Sequence, residues 1–392
     1  MGQITFEAEI VARVRRVTGV SDQMIPLHAP EFSGREWELV KDCLDTGWVS
    51  SVGSYVDRFE QMVAEASGVR FGVAVVNGTA ALQIALLLAG VAPGDEVIVP
   101  ALTFAATANA VVHAGAVPHL VDSDTATLGL DPVALAVHLD RIATRGANGP
   151  VNRETGRRIA AVVPMHVFGF PVDMAPLLAL SADWNLPVVE DAAESLGSTY
   201  HGKPCGSFGR VATLSFNGNK IITTGGGGAI VTDDQELARR AKHLTTTAKV
   251  PHRWEFFHDE VGFNYRLPNL NAALGVAQFE QLPQRLAAKR RLAQSYLGSF
   301  VGFAGAQVMQ EAEGSQSNHW LNTLLLDRDQ AHRRDEVLTG LNDAGLMTRP
   351  IWTLMHRLPM YQSCPRADLS VAEDLAARVL NLPSSANLAG NA

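Results

Sequence analysis

The chain has 392 residues, a hydrophobic content of 47%, a charged content of 18% and a formal net charge of −8. These values are typical of a globular protein, and the length predicts one large and one smaller domain. An acidic chain without a broad basic field argues against nucleic acid as a partner. The three cysteines form no CxxC pair, so no disulfide framework or metal site is predicted and a reducing cytoplasm fits; they are Cys43, Cys205 and Cys364.

The N-terminal residues 1–24 read as an extension that lacks the apolar core of a signal peptide. The later apolar run ALQIALLLAGVA is too short to span a bilayer, so we expect a cytoplasmic protein with no membrane partner. Two helical patterns then flank the segment GWVSSVG, which contains Ser50 and Ser51. A polar loop of this kind is either a connection or a ligand contact.

Short apolar runs alternate with helical patterns from about residue 70 onward. This alternation predicts an α/β fold whose large domain has a mostly parallel mixed sheet covered by helices. In such sheets, ligands bind at the carboxyl ends of the strands. Residues that follow predicted strands are therefore the site candidates: Asn77 and Gly78, Pro100 to Phe104, Glu190 and Asp191, and Ser215 onward.

The C-terminal part begins with a long helical pattern. The residues 271–300 keep one helical periodicity and are long enough to bridge two domains. The strand-like WLNTLLL and the helical RRDEVLTGLNDAG follow, which predicts a smaller α+β domain. We expect a large domain over residues 25–282 and a small one over 283–392.

A single lysine, Lys220, stands between a predicted strand and four glycines in SFNGNKIITTGGGGAI. A phosphate-binding P-loop is excluded because Ile221, and not Ser or Thr, follows the lysine. A dinucleotide-binding fingerprint is excluded because the glycines lead into a strand instead of a helix. Two alternatives remain: a solvated loop lysine, or a lysine that forms a Schiff base with a carbonyl cofactor.

Besides an amine, pyridoxal phosphate requires a carboxylate at its pyridine nitrogen, a phosphate site and an aromatic residue packed on its ring, and the chain offers all three. Asp191 ends the strand PVVED and can pair with the pyridine nitrogen, although it can also cap a following helix. Gly78 and Thr79 stand at a strand-to-helix turn that favours a phosphate, a weak signal by itself. Phe104 can cover a flat ring or belong to the core. Ser215 can add a hydroxyl to the phosphate site.

Five segments in this order resemble the DegT/DnrJ/EryC1/StrS family of nucleotide-sugar aminotransferases, which have the aspartate aminotransferase fold type I: NGTAAL, PALTFAATANAV, VVEDAAESLGS, SFNGNKIITTGGGGAIVT and GFNYRLPNLNAALG. The resemblance extends from MIPLHAPEF to LNLPSS. It implies that Lys220 carries pyridoxal 5'-phosphate, that Asp191 pairs with the pyridine nitrogen, and that Glu194 lies beside the ring. One relative that dehydrates its sugar has histidine in place of the lysine, so the lysine here favours transamination.

The same resemblance implies the remaining cofactor contacts. The segment NGTAAL contributes Gly78, Thr79 and Ala80, and Thr79 and Ser215 match phosphate contacts. Phe104 matches the aromatic residue that stacks on the ring. Asn264 matches an asparagine that reaches the phosphate from the neighbouring subunit, so we expect a homodimer with shared active sites.

The finer resemblance is to the branch that makes 4-amino-6-deoxy sugars for bacillosamine and legionaminic acid. It rests on GWVSSVG, SNHWLNTLLLD and TRPIWTLMHRLPMYQSCP, and it implies substrate contacts from Ser50, Ser51, His319 and Arg349. An aromatic residue often stands at the position of His319 in those relatives. His166, which lies in another family motif, is interpreted as a satisfied interior histidine.

The predicted reaction is a transfer of the amino group of glutamate, through pyridoxamine 5'-phosphate, to the C4 ketone of a nucleotide-linked keto-sugar. The predicted acceptor is UDP-2-acetamido-2,6-dideoxy-4-ketohexose. The alternatives are GDP-4-keto-6-deoxymannose, as in a perosamine synthase, a non-catalytic regulatory relative of the fold, and a pyridoxal-dependent lyase or dehydratase.

Overall fold

The computed structural model describes residues 5–20 and 23–390. Its α-helices are α1 (Phe6–Thr18), α2 (Glu36–Thr46), α3 (Ser54–Ala66), α4 (Gly78–Leu88), α5 (Ala105–His113), α6 (Pro132–Ile142), α7 (Met174–Trp184), α8 (Gln235–Thr245), α9 (Asn269–Glu280), α10 (Leu282–Phe300), α11 (Arg334–Asp343) and α12 (Ser370–Arg378). Among the described residues, no helix is both long and apolar enough to cross a membrane.

The strands of the first half are β1 (Phe71–Val75), β2 (Glu96–Pro100), β3 (Val117–Val121), β4 (Ala143–Gly146), β5 (Gly149–Asn152), β6 (Ile159–Val162), β7 (Val189–Asp191), β8 (Thr199–Tyr200) and β9 (Lys203–Pro204). Those of the second half are β10 (Val211–Ser215), β11 (Gly228–Thr232), β12 (Lys249–Val250), β13 (Phe257–His258), β14 (Ala306–Val308), β15 (Ser315–Gln316), β16 (Asn322–Leu326), β17 (Arg349–Pro350) and β18 (Val379–Leu382).

The central sheet is mostly parallel, as the alternating pattern predicted. One part has the order β1-β11-β10-β7 and the other the order β3-β2-β6. The parallel bridges Val162↔Val188 and Met165↔Asp191 join the two parts between β6 and β7. Within the first part β11 runs antiparallel to both of its neighbours, while β7 and β10 pair in parallel. The strands β2, β10 and β11 of the central sheet are almost fully buried, as expected where helices cover both faces of a sheet.

Helix starts in this region follow the capping residues of the sequence. Asp131 caps α6, since its Oδ1 accepts hydrogen bonds from the backbone N–H groups of Val133 and Ala134 at 2.7 and 3.1 Å. Asp234 caps α8 in the same way. Such side-chain acceptors satisfy N–H groups that the first turn of a helix leaves without partners.

A second antiparallel sheet of order β14-β16-β18-β17 forms the C-terminal α+β part. Its apolar core also includes Ile10 and Val14 of α1, which pack with Tyr296 of α10 and Leu341 of α11. Ile25 forms a parallel bridge with Leu346. The N-terminal helix and the residue after the predicted extension therefore pack against the C-terminal part, and the domain boundaries at residues 24 and 282 stay predictions.

One prediction about the helices is wrong. The segment expected to form one helix over residues 271–300 divides into α9 and α10, and Gln281 between them has φ −102° and ψ −5°. Pro283 stands in the first turn of α10, where it has no amide hydrogen to donate and its ring would clash with the carbonyl of Phe279 in a continuous helix. The proline therefore ends one helix and begins the next.

Candidate active site

A cavity of about 320 Å³ lies at the carboxyl ends of the strands of the central sheet. The strands β1, β2, β7 and β10 end at this edge because they share one direction. The structure brings most of the candidate cofactor residues together here, and we call this space the sheet-edge cavity. The candidates that line it are Gly78, Thr79, Phe104, Asp191, Glu194, Ser215 and Lys220.

Lys220 projects into the cavity from the turn after β10. Its Nζ lies 3.1 Å from Oε1 of Glu194 and 3.9 Å from the ring centroid of Trp320. Its side chain is only 13% exposed. The backbone carbonyl of the preceding residue, Asn219, accepts a 2.6 Å hydrogen bond from Nε1 of Trp320. These contacts argue against the solvated loop lysine and place a largely buried amine in the cavity.

The glycines after this lysine have a structural explanation. Gly225 has a φ of +78°, which glycine adopts at no steric cost. A Cβ on Gly228 would lie 2.4 Å from the carbonyl carbon of Asn77, so β11 can approach the start of α4 only without a side chain. A Cβ on Gly78 would lie 3.0 Å from Cβ of Ser215. Glycine thus lets the helix start and Ser215 come close together.

The first turn of α4 forms one end of the cavity. Oδ1 of Asn77 accepts a 2.8 Å hydrogen bond from the backbone N–H of Ala80 and so caps the helix. Gly78 and Thr79 line the cavity at the positions where a helix start leaves N–H groups without intrahelical partners. Together with the Ser215 hydroxyl and the helix dipole, this end suits an anion. Ala80 does not line the cavity, and its N–H serves the cap.

Asp191 lies at the base of the cavity and is 5% exposed. Its Oδ2 accepts a 2.8 Å hydrogen bond from the Thr107 hydroxyl, and its Oδ1 accepts one of 3.2 Å from the backbone N–H of Ala193. Burial raises the pKa of this carboxyl, and the bond from Thr107 opposes that shift. The helix-cap alternative is wrong, because the residues after Asp191 form turns and no helix.

Glu194 is buried beside the lysine. Its Oε2 accepts a 2.9 Å hydrogen bond from the backbone N–H of Phe168. Burial raises the pKa of Glu194 to about 7, although the neighbouring Lys220 opposes the shift. Near neutral pH this carboxyl therefore changes its charge 3.1 Å from the lysine amine.

Behind Asp191, a second carboxylate is fully satisfied by the protein. Oε2 of Glu190 accepts backbone N–H groups of Phe208 and Gly209 at 3.0 and 3.1 Å, and its Oε1 lies 2.9 Å from Nε2 of His166. Nδ1 of His166 accepts a 3.0 Å hydrogen bond from the backbone N–H of Val172. The ring hydrogen therefore lies on Nε2, which donates a hydrogen bond to Oε1 of Glu190. The interpretation of His166 as a satisfied interior histidine agrees with these bonds.

Residues 30–392 match the DegT/DnrJ/EryC1/StrS aminotransferase family. The chain belongs to this family. It is 40% identical over 366 residues to GDP-perosamine synthase of Caulobacter vibrioides, covering 93% of this chain and 94% of that protein. It is 38% identical over 364 residues to GDP-perosamine synthase of Escherichia coli O157:H7, with 93% and 94% covered. A crystal structure of DesI in the presence of its TDP-sugar product superposes with a TM-score of 0.82 and 31% identity over 95% of this chain and 91% of that chain.

Members of this family use pyridoxal phosphate, and the chain is a nucleotide-sugar aminotransferase that depends on this cofactor. The sheet-edge cavity contains residues that suit pyridoxal phosphate. Asp191 is a buried carboxylate without an ionic partner among the described residues, which a protonated ring nitrogen would supply. At the opposite end, the start of α4 and Ser215 offer donors for a phosphate. The transaminase fold, fold type I, is likewise confirmed.

The sequence interpretation missed several side chains of the cavity in this aminotransferase, among them Thr107, Trp320 and Trp352. The two tryptophans form an aromatic wall with Phe104 and Phe168. Ring centroids lie 5.9 Å apart for Phe104 and Trp352 and 4.7 Å apart for Phe168 and Trp352. Both tryptophans stand in segments that carry the finer family resemblance, and that resemblance was the available signal.

Other predicted site residues of the aminotransferase lie outside the sheet-edge cavity. Ser50 and Ser51 stand in the loop between α2 and α3, and the Ser50 carbonyl accepts a 2.6 Å hydrogen bond from the N–H of Asn269. Asn264 is exposed, and its Oδ1 accepts a 3.1 Å hydrogen bond from Nε of Arg266. Within this single chain these residues do not reach the lysine's cavity.

The other two predicted substrate contacts, His319 and Arg349, lie in different surroundings. His319 is buried with a φ of +48°, and its Nε2 lies 3.3 Å from Oε1 of Glu311. It lines neither the sheet-edge cavity nor the one beside it. Arg349 lines the neighbouring cavity, which shares a wall with the first.

Proposed function

We propose that this aminotransferase moves the amino group of glutamate to the C4 ketone of GDP-4-keto-6-deoxymannose. The observation that carries the proposal is the near full-length identity of 40%, 38% and 35% to three GDP-perosamine synthases. A relative named for a UDP sugar is 33% identical over 335 residues and is a 3-aminotransferase. The relatives therefore favour the GDP-linked acceptor over the UDP-2-acetamido sugar expected from the segment resemblance.

We assign the cofactor contacts as follows. Lys220 would hold the cofactor aldehyde, and Asp191 would pair with the ring nitrogen. Phe104 would pack against the ring, while Thr79 and Ser215 would donate to the phosphate. When bound, pyridoxal phosphate supplies an electron sink that stabilises negative charge at the carbon losing or gaining a proton.

Lys220 has a second task once its amine is free. It moves a proton at the donor's α-carbon in the first half-reaction and at the sugar C4 in the second. Glu194 lies 3.1 Å from the amine, so its carboxylate orients Nζ, and in the protonated form it can return a proton to it. The ring of Trp320, 3.9 Å away, limits the other directions in which Nζ can point.

We further propose a homodimer with shared active sites. Two exposed aromatic regions lie on the single chain: Trp48 is 59% exposed and Phe256 is 80% exposed. Clusters of exposed aromatic side chains are typical of interaction surfaces. A second copy of this chain is the proposed partner, because the family resemblance implies active sites shared between two subunits. Ser50 and Ser51 follow the first region, and Asn264 follows the second. In a dimer, the partner's copies of these residues would reach the sheet-edge cavity, which the residues of the same chain do not reach.

A substrate comparison tests the proposed acceptor. Purified enzyme with glutamate is given either GDP-4-keto-6-deoxymannose or UDP-2-acetamido-2,6-dideoxy-4-ketohexose, and products are identified by mass spectrometry. We expect kcat/KM for the GDP sugar to exceed that for the UDP sugar by at least about 10²-fold, because a site leaves polar groups unpaired when the wrong nucleotide binds. A preference for the UDP sugar would overturn the proposed acceptor. Cofactor-loaded protein that turns over neither sugar would likewise refute the proposed acceptor.

A further inference from the structure

A second cavity, of about 530 Å³, lies beside the sheet-edge cavity. The two share Asn219, Trp320 and Trp352, and Asn219 directly precedes Lys220 in the chain. The far side of the second cavity is formed by the segment Pro26–His28 and by β17. A ligand in this space therefore lies one tryptophan ring away from the lysine amine.

Arg349 supplies a permanent positive charge on the wall of this cavity. The guanidinium donates to the Thr348 carbonyl at 3.1 Å and to Oδ1 of Asn342 at 3.3 Å, and both acceptors are neutral. No carboxylate is among the residues that line the cavity. A guanidinium has five N–H donors arranged in a fork that fits a carboxylate. The two contacts with neutral acceptors therefore leave N–H donors of Arg349 that can bind an anion.

His28 adds a second polar group on the same wall. Its Nδ1 is buried and has no hydrogen-bond partner. Burial, followed by the charges of Lys289, Lys220 and Arg285, holds the pKa of His28 well below its usual range. The positive charges that oppose protonation of His28 also attract an anion to the cavity. An anion that bound here would favour the protonated ring and give Nδ1 a partner.

The rest of the wall indicates the kind of anion. Its other side chains are largely apolar and include Leu27, Leu321, Met347 and Ile351. A diphosphate with two charges needs many donors, whereas one carboxylate on a short aliphatic chain is satisfied by a single guanidinium fork and one histidine.

We propose that the second cavity binds a carboxylate of the amino donor through Arg349 and His28 while the donor's amine reaches Lys220 in the sheet-edge cavity. This inference rests on the proposed aminotransferase reaction, and it names the residues that select an acidic donor such as glutamate. It concerns the first half-reaction only, because the nucleotide sugar enters after the donor's keto acid has left.

The two half-reactions test it separately in the cofactor-loaded enzyme. Stopped-flow absorbance follows the first half-reaction with glutamate alone and the second with the aminated enzyme and the sugar. For Arg349→Gln we expect kcat/KM of the glutamate half-reaction to fall roughly 100-fold, because the bidentate charge-assisted hydrogen bonds to the carboxylate are lost. His28→Ala is expected to lower it roughly 10-fold. The sugar half-reaction is expected to change less than about 3-fold in both variants.

Two controls keep the outcome interpretable. Arg328→Gln removes an exposed arginine outside both cavities, and it is expected to leave both half-reactions unchanged. Glutarate, which has two carboxylates and no amine, is expected to compete with glutamate in the parent and to lose roughly 100-fold in affinity in Arg349→Gln. An intact cofactor absorbance spectrum shows that the variant is folded.

Two results would overturn the subsite. One is a glutamate half-reaction and glutarate affinity that match the parent in Arg349→Gln. The other is a selective loss of the sugar half-reaction, which would assign the cavity to the diphosphate. If the parent reacts with glutamate and with neither nucleotide sugar, the proposed acceptor fails while the carboxylate subsite is still tested by the first half-reaction.

Discussion

The two neighbouring cavities differ in architecture and in charge. The sheet-edge cavity is formed by strand ends of one sheet, and it holds the carboxylates of Asp191 and Glu194 beside the amine of Lys220. The second cavity lies between an N-terminal segment and β17, and Arg349 and His28 line it without a carboxylate. Buried acids next to an amine suit proton transfer, whereas a cationic and apolar wall suits recognition of an anion.

Under the proposed donor subsite, this difference separates the chemistry of transamination from donor recognition. Glu194, whose pKa burial raises to about 7, lies at the sheet edge beside Lys220. The permanently charged Arg349 stands on β17 in the C-terminal part, and His28 comes from the N-terminal segment. Trp320 belongs to both walls, so the two cavities meet beside the lysine.

The largest expected effect is the loss of Lys220. In Lys220→Ala we expect both half-reactions to slow by about 10⁴-fold or more, because the covalent link and the moving proton are both lost. Stopped-flow absorbance measures each half-reaction. The matched control is Lys203→Ala, which removes an exposed lysine of β9 and is expected to react like the parent.

Borohydride reduction gives an independent readout of the same assignment. Peptide mapping of the reduced protein is expected to place the pyridoxyl group on Lys220. A label on Lys203 or Lys249 would refute the assignment, and so would parental rates in Lys220→Ala.

Asp191→Asn is expected to have the next largest effect. The amide keeps the shape and can still receive the hydrogen bond from Thr107, but it removes the charge that holds the ring nitrogen protonated. We expect each half-reaction to slow by about 10²- to 10³-fold, with the cofactor still bound. Asp183→Asn, at an exposed position, is the control. Turnover equal to the parent would contradict the role of Asp191 as partner of the ring nitrogen.

Local sequence signals were enough to predict the strand-end residues of the sheet-edge cavity, but not Thr107, Trp320 or Trp352. The alternation of apolar runs and helices gives strand ends at one edge, and Asp191 and Ser215 each end a strand. Gly78 and Gly228 report a close backbone approach that only glycine allows. Periodicity alone did not show the break at Gln281, because a proline at a helix start is compatible with the same apolar pattern.

The second cavity had no comparable signal in the sequence. Its walls come from segments more than 300 residues apart, such as His28 and Arg349, and tertiary packing alone brings them together. Trp320 illustrates the same limit, since an apolar residue before a strand is more often core than a contact of a catalytic lysine. The proposed roles of Ser50, Ser51 and Asn264 require a partner chain, and no pattern within one chain gives the position of a partner.

Mixed dimers test whether those residues act across subunits. We expect Asn264→Ala and Lys220→Ala to be nearly inactive alone and to regain roughly a quarter of parental activity after subunit exchange, because half of the dimers then have one intact site out of two. Activity is measured after exchange has been verified by mass spectrometry. The control mixes Lys220→Ala with Asp191→Asn, whose defects lie in the same chain's cavity, and no recovery is expected there. A verified hybrid of the first pair without activity would refute the shared site.

The smallest expected effect concerns the charge of Glu194 in the cofactor-free protein. Its pKa is raised to about 7 by burial, from an ordinary value of 4.5. Between these two values the folded state binds more protons than the unfolded state, so the contribution of Glu194 to stability falls as the pH rises and is largest below pH 4.5. We expect the parent to lose about 1–3 kcal/mol in the free energy of unfolding, relative to Glu194→Gln, between pH 4.5 and 7.5. Urea unfolding at both pH values measures this difference, and Glu154→Gln, at an exposed position, is expected to follow the parent. A parent and a Glu194→Gln variant with parallel pH profiles would show that Lys220 compensates the buried charge completely, and Glu194 would then hold no proton to give near neutral pH.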